Sequence, residues 1–302
     1  MTDSTPSVIL LDGGMGQELR RRSSYPASPL WSAQVMLDEP HLVISAHRDF
    51  IEAGAEIITL NNYSATPQRL ARDGDPALFA TLHGAALAAA RQAREESGRA
   101  ASIAGCLPPL VASYHHEVVP DDTTCLDSYR LLVDAQAGVD LFICETMSLI
   151  REARAATLAA AERNTRVWTA FTVDDSDGTR LRSGELLAEA AEATMAAGAE
   201  KILVNCSVPE AITTAMDVLA AANIPFGGFA NGFTSIAALQ PGGTVDTLAA
   251  REDLGPQAYA DYALKWVKQG ATVVGGCCEV GPAHIAAIAT RLKNAGYTLT
   301  TP

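Results

Sequence analysis

Two adjacent cysteines, Cys277 and Cys278, follow two glycines, Gly275 and Gly276. Neighbouring cysteines bridge to each other poorly, because the small ring they would close drives the intervening peptide towards cis. At a strand end, where the chain turns, both sulphurs can instead face one metal ion. The glycines allow close backbone approach and unusual dihedrals. A third thiolate could come from Cys206. Zinc takes sulphur ligands in a tetrahedron, and a catalytic site keeps one position open. Three cysteines and one open position fit that rule. Cys125 and Cys144 read as small buried hydrophobes, as an isolated cysteine usually is. Cys106 reads the same way, with a smaller claim on the site because it ends a strand.

Such ligands must be brought together by the fold. Eight short apolar runs, at 8–13, 56–63, 101–108, 141–146, 167–174, 201–207, 224–231 and 272–278, have the length and composition of buried parallel strands. Helical stretches lie between them at 40–53, 76–97, 183–197, 255–269 and 281–295, and each stops at a glycine. Eight strands alternating with helices predict an α/β fold, a single (β/α)8 TIM barrel spanning residues 1–302. The polar segment 232–256 is too long for a simple connection and reads as a functional loop over the barrel mouth.

Active sites of such barrels lie at the C-terminal ends of the strands. The residues there include Asp12, Tyr63, Cys106, Glu145, Asp174, Asp175, Asn205, Cys206, Asn231, Cys277, Cys278 and Glu279. Asp12, Glu145, Asn205 and Asn231 are the expected substrate contacts. Asp12 and Glu145 could orient an ammonium group through charge-assisted hydrogen bonds. Either could equally cap the following helix or pair with a surface cation.

Composition narrows the remaining choices. The chain carries 22 basic and 35 acidic residues, a net charge of -13. The Arg20-Arg21-Arg22 triplet is its longest basic cluster and reads as the solvated end of a short helix, so no nucleic-acid partner is expected. No run approaches the ~20 apolar residues of a membrane span. The opening MTDSTPS lacks the features of a signal peptide, so a cytoplasmic setting with reduced cysteines is expected. An oligomer remains open, and the partners are small molecules. The Gly14-Met15-Gly16 turn fails the dinucleotide spacing, because Leu19 stands where the last glycine belongs. No phosphate loop or cobalamin-type D-x-H-x-x-G is present.

The GGCC motif at 275–278 and NC at 205–206 resemble the homocysteine S-methyltransferase family. LLDGGMGQEL at 10–19 is similar to its opening DGxMGTEL, and CET at 144–146 to its ET after the fourth strand. LWSA at 30–33 and the Tyr63-Ser64-Ala65-Thr66-Pro67 run resemble the sulfonium-dependent bacterial members. The resemblance runs from Asp12 to about Ile288. It implies zinc held by Cys206, Cys277 and Cys278, and L-homocysteine as acceptor with its amino group at Asp12 and Glu145. It also implies that Tyr63 stands beside the metal as a catalytic residue.

Zinc coordination deprotonates a thiol that is mostly protonated at pH 7, which removes the need for a general base. The expected donor is a small sulfonium, S-methylmethionine or S-adenosylmethionine. Asp174, Asp175 and Glu279 suggest an acidic mouth that suits a cation. A betaine-type donor shares that charge and stays open. Two departures from the family stand out: Glu279 after GGCC, and Gly105-Cys106-Leu107-Pro108-Pro109 in place of GSxGP. The loop after it runs through Tyr114, His115, His116 and Glu117 and overhangs the mouth. Its histidines are possible ligands on paper, but paired loop histidines are usually solvated. A zinc hydrolase would favour histidine and carboxylate ligands. A non-catalytic zinc or redox-switch protein would close the metal site or bridge the adjacent cysteines.

Overall fold

The computed structural model describes residues 6–26, 30, 32–241 and 248–302. Residues 1–5 of the polar opening, Trp31 of the LWSA run and residues 242–247 of the long segment lie outside the described residues.

Eight parallel strands fall on the eight expected runs: β1 (Ser7–Leu10), β2 (Ile57–Thr59), β3 (Ser102–Leu107), β4 (Leu141–Met147), β5 (Val167–Phe171), β6 (Lys201–Asn205), β7 (Phe226–Phe229) and β8 (Val273–Val274). Each from β2 to β7 pairs with the next, and β8 pairs with β1. The ring closes between β1 and β2. There Leu11 bridges Ile57, the Asp12 N–H donates to the Ile57 carbonyl at 3.0 Å, and the Glu56 N–H donates to Leu10 at 2.7 Å. The chain is a (β/α)8 barrel. A further strand, β9 (Thr298–Leu299), was not anticipated; it lies parallel to the first half of β1.

Apart from β4, which runs one residue past its apolar run, the strands are shorter than those runs, because the chain leaves the ladder before the last residues of each. After β8, the Gly276 N–H turns to the Asp12 carbonyl and the Cys277 N–H to the Ala230 carbonyl. The helix Pro40–Ala53 has the expected bounds, with proline in its first turn and Gly54 at φ 114° closing it. Gly98, Gly198, Gly270 and Gly296 also take the left-handed conformation. The stretch 183–197 begins later than expected, at Leu187. Residues before it form a small hairpin, in which Arg180 pairs Leu186 and Leu181 pairs Val173. Helices Asp122–Ala135, Ile150–Ala161 and Pro209–Ala221 add to the outer layer.

Inside the barrel, Ile9, Leu11, Ile57, Ile143, Trp168, Leu203, Phe229 and Val273 pack into one buried cluster. Strand side chains alternate between faces. Two residues beyond Ile57, Ile143 and Leu203, the same inward face carries Thr59, Glu145 and Asn205, and Cys277 packs against the plug. The plug is therefore the floor on which the strand-end residues stand.

Candidate metal centre and substrate cavity

The sulphurs of Cys206, Cys277 and Cys278 all lie within 4.8 Å of one another. Cys206 Sγ is 2.6 Å from Cys277 Sγ and 4.0 Å from Cys278 Sγ. Sulphurs on a tetrahedral zinc at 2.3 Å stand about 3.8 Å apart. The three are thus within roughly an ångström of a metal-binding arrangement, and all three line one cavity at the barrel mouth. The donor set is all sulphur, which suits zinc. Hydrogen bonds from Cys277 and then Cys278 hold the Cys206 pKa well below the usual value, against burial.

The backbone holds these sulphurs in place. Cys206 follows β6 with φ 51°, a left-handed conformation uncommon outside glycine. Its carbonyl accepts the Thr172 hydroxyl at 3.2 Å and the Arg182 guanidinium at 3.4 Å. The Tyr259 hydroxyl sits 3.0 Å from the Ala230 carbonyl and 2.9 Å from that of Gly275, tying the ends of β7 and β8. Gly275 serves close approach, since a Cβ there would stand 2.5 Å from Leu11 Cβ. Neither Gly275 nor Gly276 takes a positive φ; the unusual dihedrals fall on Cys206 and Glu279 instead.

Two carboxyls share the cavity. Asp12 is buried, and burial pushes its pKa up to about 7 despite hydrogen bonds from the Thr59 N–H at 2.8 Å and hydroxyl at 3.3 Å. Burial, with Asp12 and Cys206 adding, pushes Glu145 up to about 8. A cation placed between them would stabilise both charged forms. Tyr63 lines the same cavity; its hydroxyl is 2.8 Å from Ser113 Oγ, and the Arg69 guanidinium lies 5.2 Å from its ring centre.

The structure places the other expected residues outside the cavity lining. Asn205 is fully buried and does not line the cavity. Its Oδ1 accepts the Thr146 N–H at 2.9 Å and its Nδ2 donates to Thr146 Oγ1 at 3.0 Å, so the amide is spent on β4. Asn231 is buried outside the cavity lining, and its Oδ1 accepts the Phe233 N–H. The acidic mouth does not materialise. Asp175 pairs with Arg182 at 3.1 Å, Glu279 with Arg21 at 3.5 Å, and Asp174 is turned onto Ser176 and the Asp177 N–H. Glu279 takes φ 66°, a left-handed conformation uncommon outside glycine.

The loop after β3 also contributes. Tyr114 lines the cavity and its hydroxyl donates to Cys206 Sγ at 3.2 Å. His115 is not simply solvated: its Nε2 is 3.0 Å from the Leu239 carbonyl and its Nδ1 is 2.6 Å from Glu117. Among the described residues, the metal-competent cluster contains no histidine. Cys106 is buried, as a small hydrophobe would be, and it lines the cavity beside Glu145. Gln17 is a lining residue the sequence did not reveal. Its buried amide lies beside Cys278 and makes no hydrogen bond of good geometry.

The family profile described as Homocysteine S-methyltransferase matches residues 9–292. The chain belongs to the homocysteine S-methyltransferase family. It is 33% identical to the homocysteine S-methyltransferase of Escherichia coli strain K12, over 94% of this chain and 95% of that protein. It is 27% identical to homocysteine S-methyltransferase 2 of Arabidopsis thaliana, over 96% and 94%. The structure of the metallated form of the homocysteine methyltransferase MmuM from Escherichia coli superposes with a TM-score of 0.79 at 29% identity, covering 94% of this chain and 96% of that one. The protein is thus an enzyme of this family and carries a cysteine cluster suited to a metal. Among the described residues, no helix is long and apolar enough to cross a membrane.

Proposed function

We propose that this single-barrel enzyme transfers a methyl group from a small sulfonium donor to L-homocysteine, giving methionine, and that it works in the cytoplasm. One observation carries the reading: three thiols and two buried carboxyls open onto the same cavity. Cys206, Cys277 and Cys278 would hold zinc. Zinc, when bound, keeps the acceptor sulphur ionised at neutral pH. Asp12 and Glu145 take the acceptor's ammonium, a cation that offsets the cost of ionising two buried carboxyls. Tyr63 and Tyr114 wall the cavity and exclude water from the reacting sulphur.

The donor follows from charge balance. An acceptor thiolate and a sulfonium are both consumed, the sulphur lone pair forms the new C–S bond, and the donor leaves as a neutral thioether. No proton moves and no further cofactor is needed. The support for a sulfonium is this chemistry and the likeness to sulfonium-using members, since the acids once expected at the mouth are paired. The test offers S-methylmethionine, S-adenosylmethionine, dimethylsulfoniopropionate and glycine betaine with homocysteine and follows methionine. Turnover with a sulfonium is expected. Turnover with betaine alone would overturn the donor and leave the acceptor site standing.

A further inference from the structure

The loop after β3 departs from the family's pattern, and it places one side chain on the metal-binding triad. Tyr114 sits at φ 71°, and its hydroxyl donates to Cys206 Sγ at 3.2 Å. The segment is anchored at both flanks. Before it, the Leu110 N–H donates to Glu152 at 2.9 Å and Ser113 Oγ meets the Tyr63 hydroxyl at 2.8 Å. After it, His115 reaches the Leu239 carbonyl at 3.0 Å.

The ring is fixed as well. The Arg182 guanidinium lies 5.1 Å from the Tyr114 ring centre. Arg182 is itself held by Asp175 at 3.1 Å and Thr172 Oγ1 at 2.8 Å, and it also donates to the Cys206 carbonyl at 3.4 Å. Tyr114 and Arg182 thus grip one residue from two sides, sulphur and backbone.

We propose that Tyr114 is a positioning residue for Cys206, fixing the direction of its sulphur and drawing off part of its charge through the hydroxyl hydrogen bond. This rests on the reading of the three cysteines as a metal centre. A hydrogen bond to a ligand atom orients it and tunes the metal, and losing such a partner typically costs 10–100-fold in affinity. A thiolate relieved of charge is also a weaker nucleophile, so the methyl group is directed to the substrate sulphur and not to Cys206.

The test uses cobalt(II) in place of zinc in the full-length protein, reading the thiolate-to-cobalt charge-transfer band. Tyr114→Phe removes only the hydroxyl. The band should move to lower energy, and zinc held against a chelator should weaken about tenfold. A ring-fluorinated tyrosine at 114, a stronger donor, should move the band the other way, so the idea stays testable if the phenylalanine variant folds poorly. A band unmoved by both replacements would overturn the role of Tyr114. A wild-type protein with no such band would instead overturn the metal reading beneath it.

Discussion

The carboxylate of Asp12 accepts the backbone N–H of Thr59 at 2.8 Å, across the seam where β1 meets β2. That seam holds a single bridge, Leu11 to Ile57. Asp12 therefore helps to close the barrel while it presents a carboxyl to the cavity. Asp12→Asn keeps an acceptor for Thr59 but removes the charge. The KM for homocysteine should rise at least tenfold, with the melting temperature little changed. Asp12→Ala should also destabilise by about 1–3 kcal/mol, because it leaves the Thr59 N–H unpaired. Thermal melts and steady-state kinetics on both variants separate the two roles, and an unchanged KM in Asp12→Asn would remove Asp12 from the acceptor site.

Serine at any one of Cys206, Cys277 or Cys278 should release most of the bound zinc and abolish transfer. A serine hydroxyl does not ionise at neutral pH, so it is a poor substitute for a thiolate ligand. Metal analysis of the purified variants, beside a methionine-formation assay, checks this. Full activity in a metal-free Cys278→Ser protein is incompatible with the proposal.

Asn205 acts through Thr146, which takes φ 58° and adjoins Glu145. Asn205→Ala should cost on the order of 1–3 kcal/mol, since a buried N–H loses its acceptor. It should also lower kcat/KM for homocysteine as Glu145 loses its setting, while zinc content stays intact. Wild-type kcat/KM in a variant so destabilised would show that Asn205 does not position Glu145.

Glu152 gives a pH dependence away from the metal. Its Oε1 accepts the Leu110 N–H at 2.9 Å and the Tyr129 hydroxyl at 3.2 Å, its Oε2 has no partner, and burial raises its pKa from 4.5 to about 7. A raised carboxyl keeps its proton in the folded state and sheds it in the unfolded state. Its contribution to stability is therefore present below pH 4.5 and lost between pH 4.5 and about 7, by on the order of 3 kcal/mol. Glu152→Gln preserves the acceptor oxygen and removes the titration. Its melting temperature should gain on the wild type from pH 5 to about pH 7 and level off above that; a constant difference from pH 5 to pH 7 would refute the assignment.

The barrel was legible because its signals are local. Short apolar runs and glycines past helix ends need no knowledge of the rest of the chain, and Gly54, Gly98, Gly198, Gly270 and Gly296 all take the left-handed turn expected of them. The cysteine triad was legible because adjacent cysteines have few other chemistries. Side-chain direction was not. Asn205 stands at a strand end as expected, but its amide is turned along the sheet to Thr146. Charge pairing was not legible either, because Arg21 and Glu279 meet only after the barrel closes. Tyr114 was legible as part of a loop over the mouth, but not its reach to Cys206 Sγ across 92 positions, and nothing in its neighbours marks Tyr259 as the tie between the ends of β7 and β8.

The burial of Asp12 and Glu145 reaches beyond affinity. With pKa values of about 7 and about 8, Asp12 is about half protonated and Glu145 largely protonated at neutral pH when no cation stands beside them. An ammonium group, with three N–H donors, would favour the charged forms of both carboxyls. If Asp12 and Glu145 take the acceptor's ammonium as proposed, acceptor binding releases protons into the medium, and the grip on the acceptor should strengthen as the surroundings turn alkaline, up to the point where the ammonium itself gives up its charge.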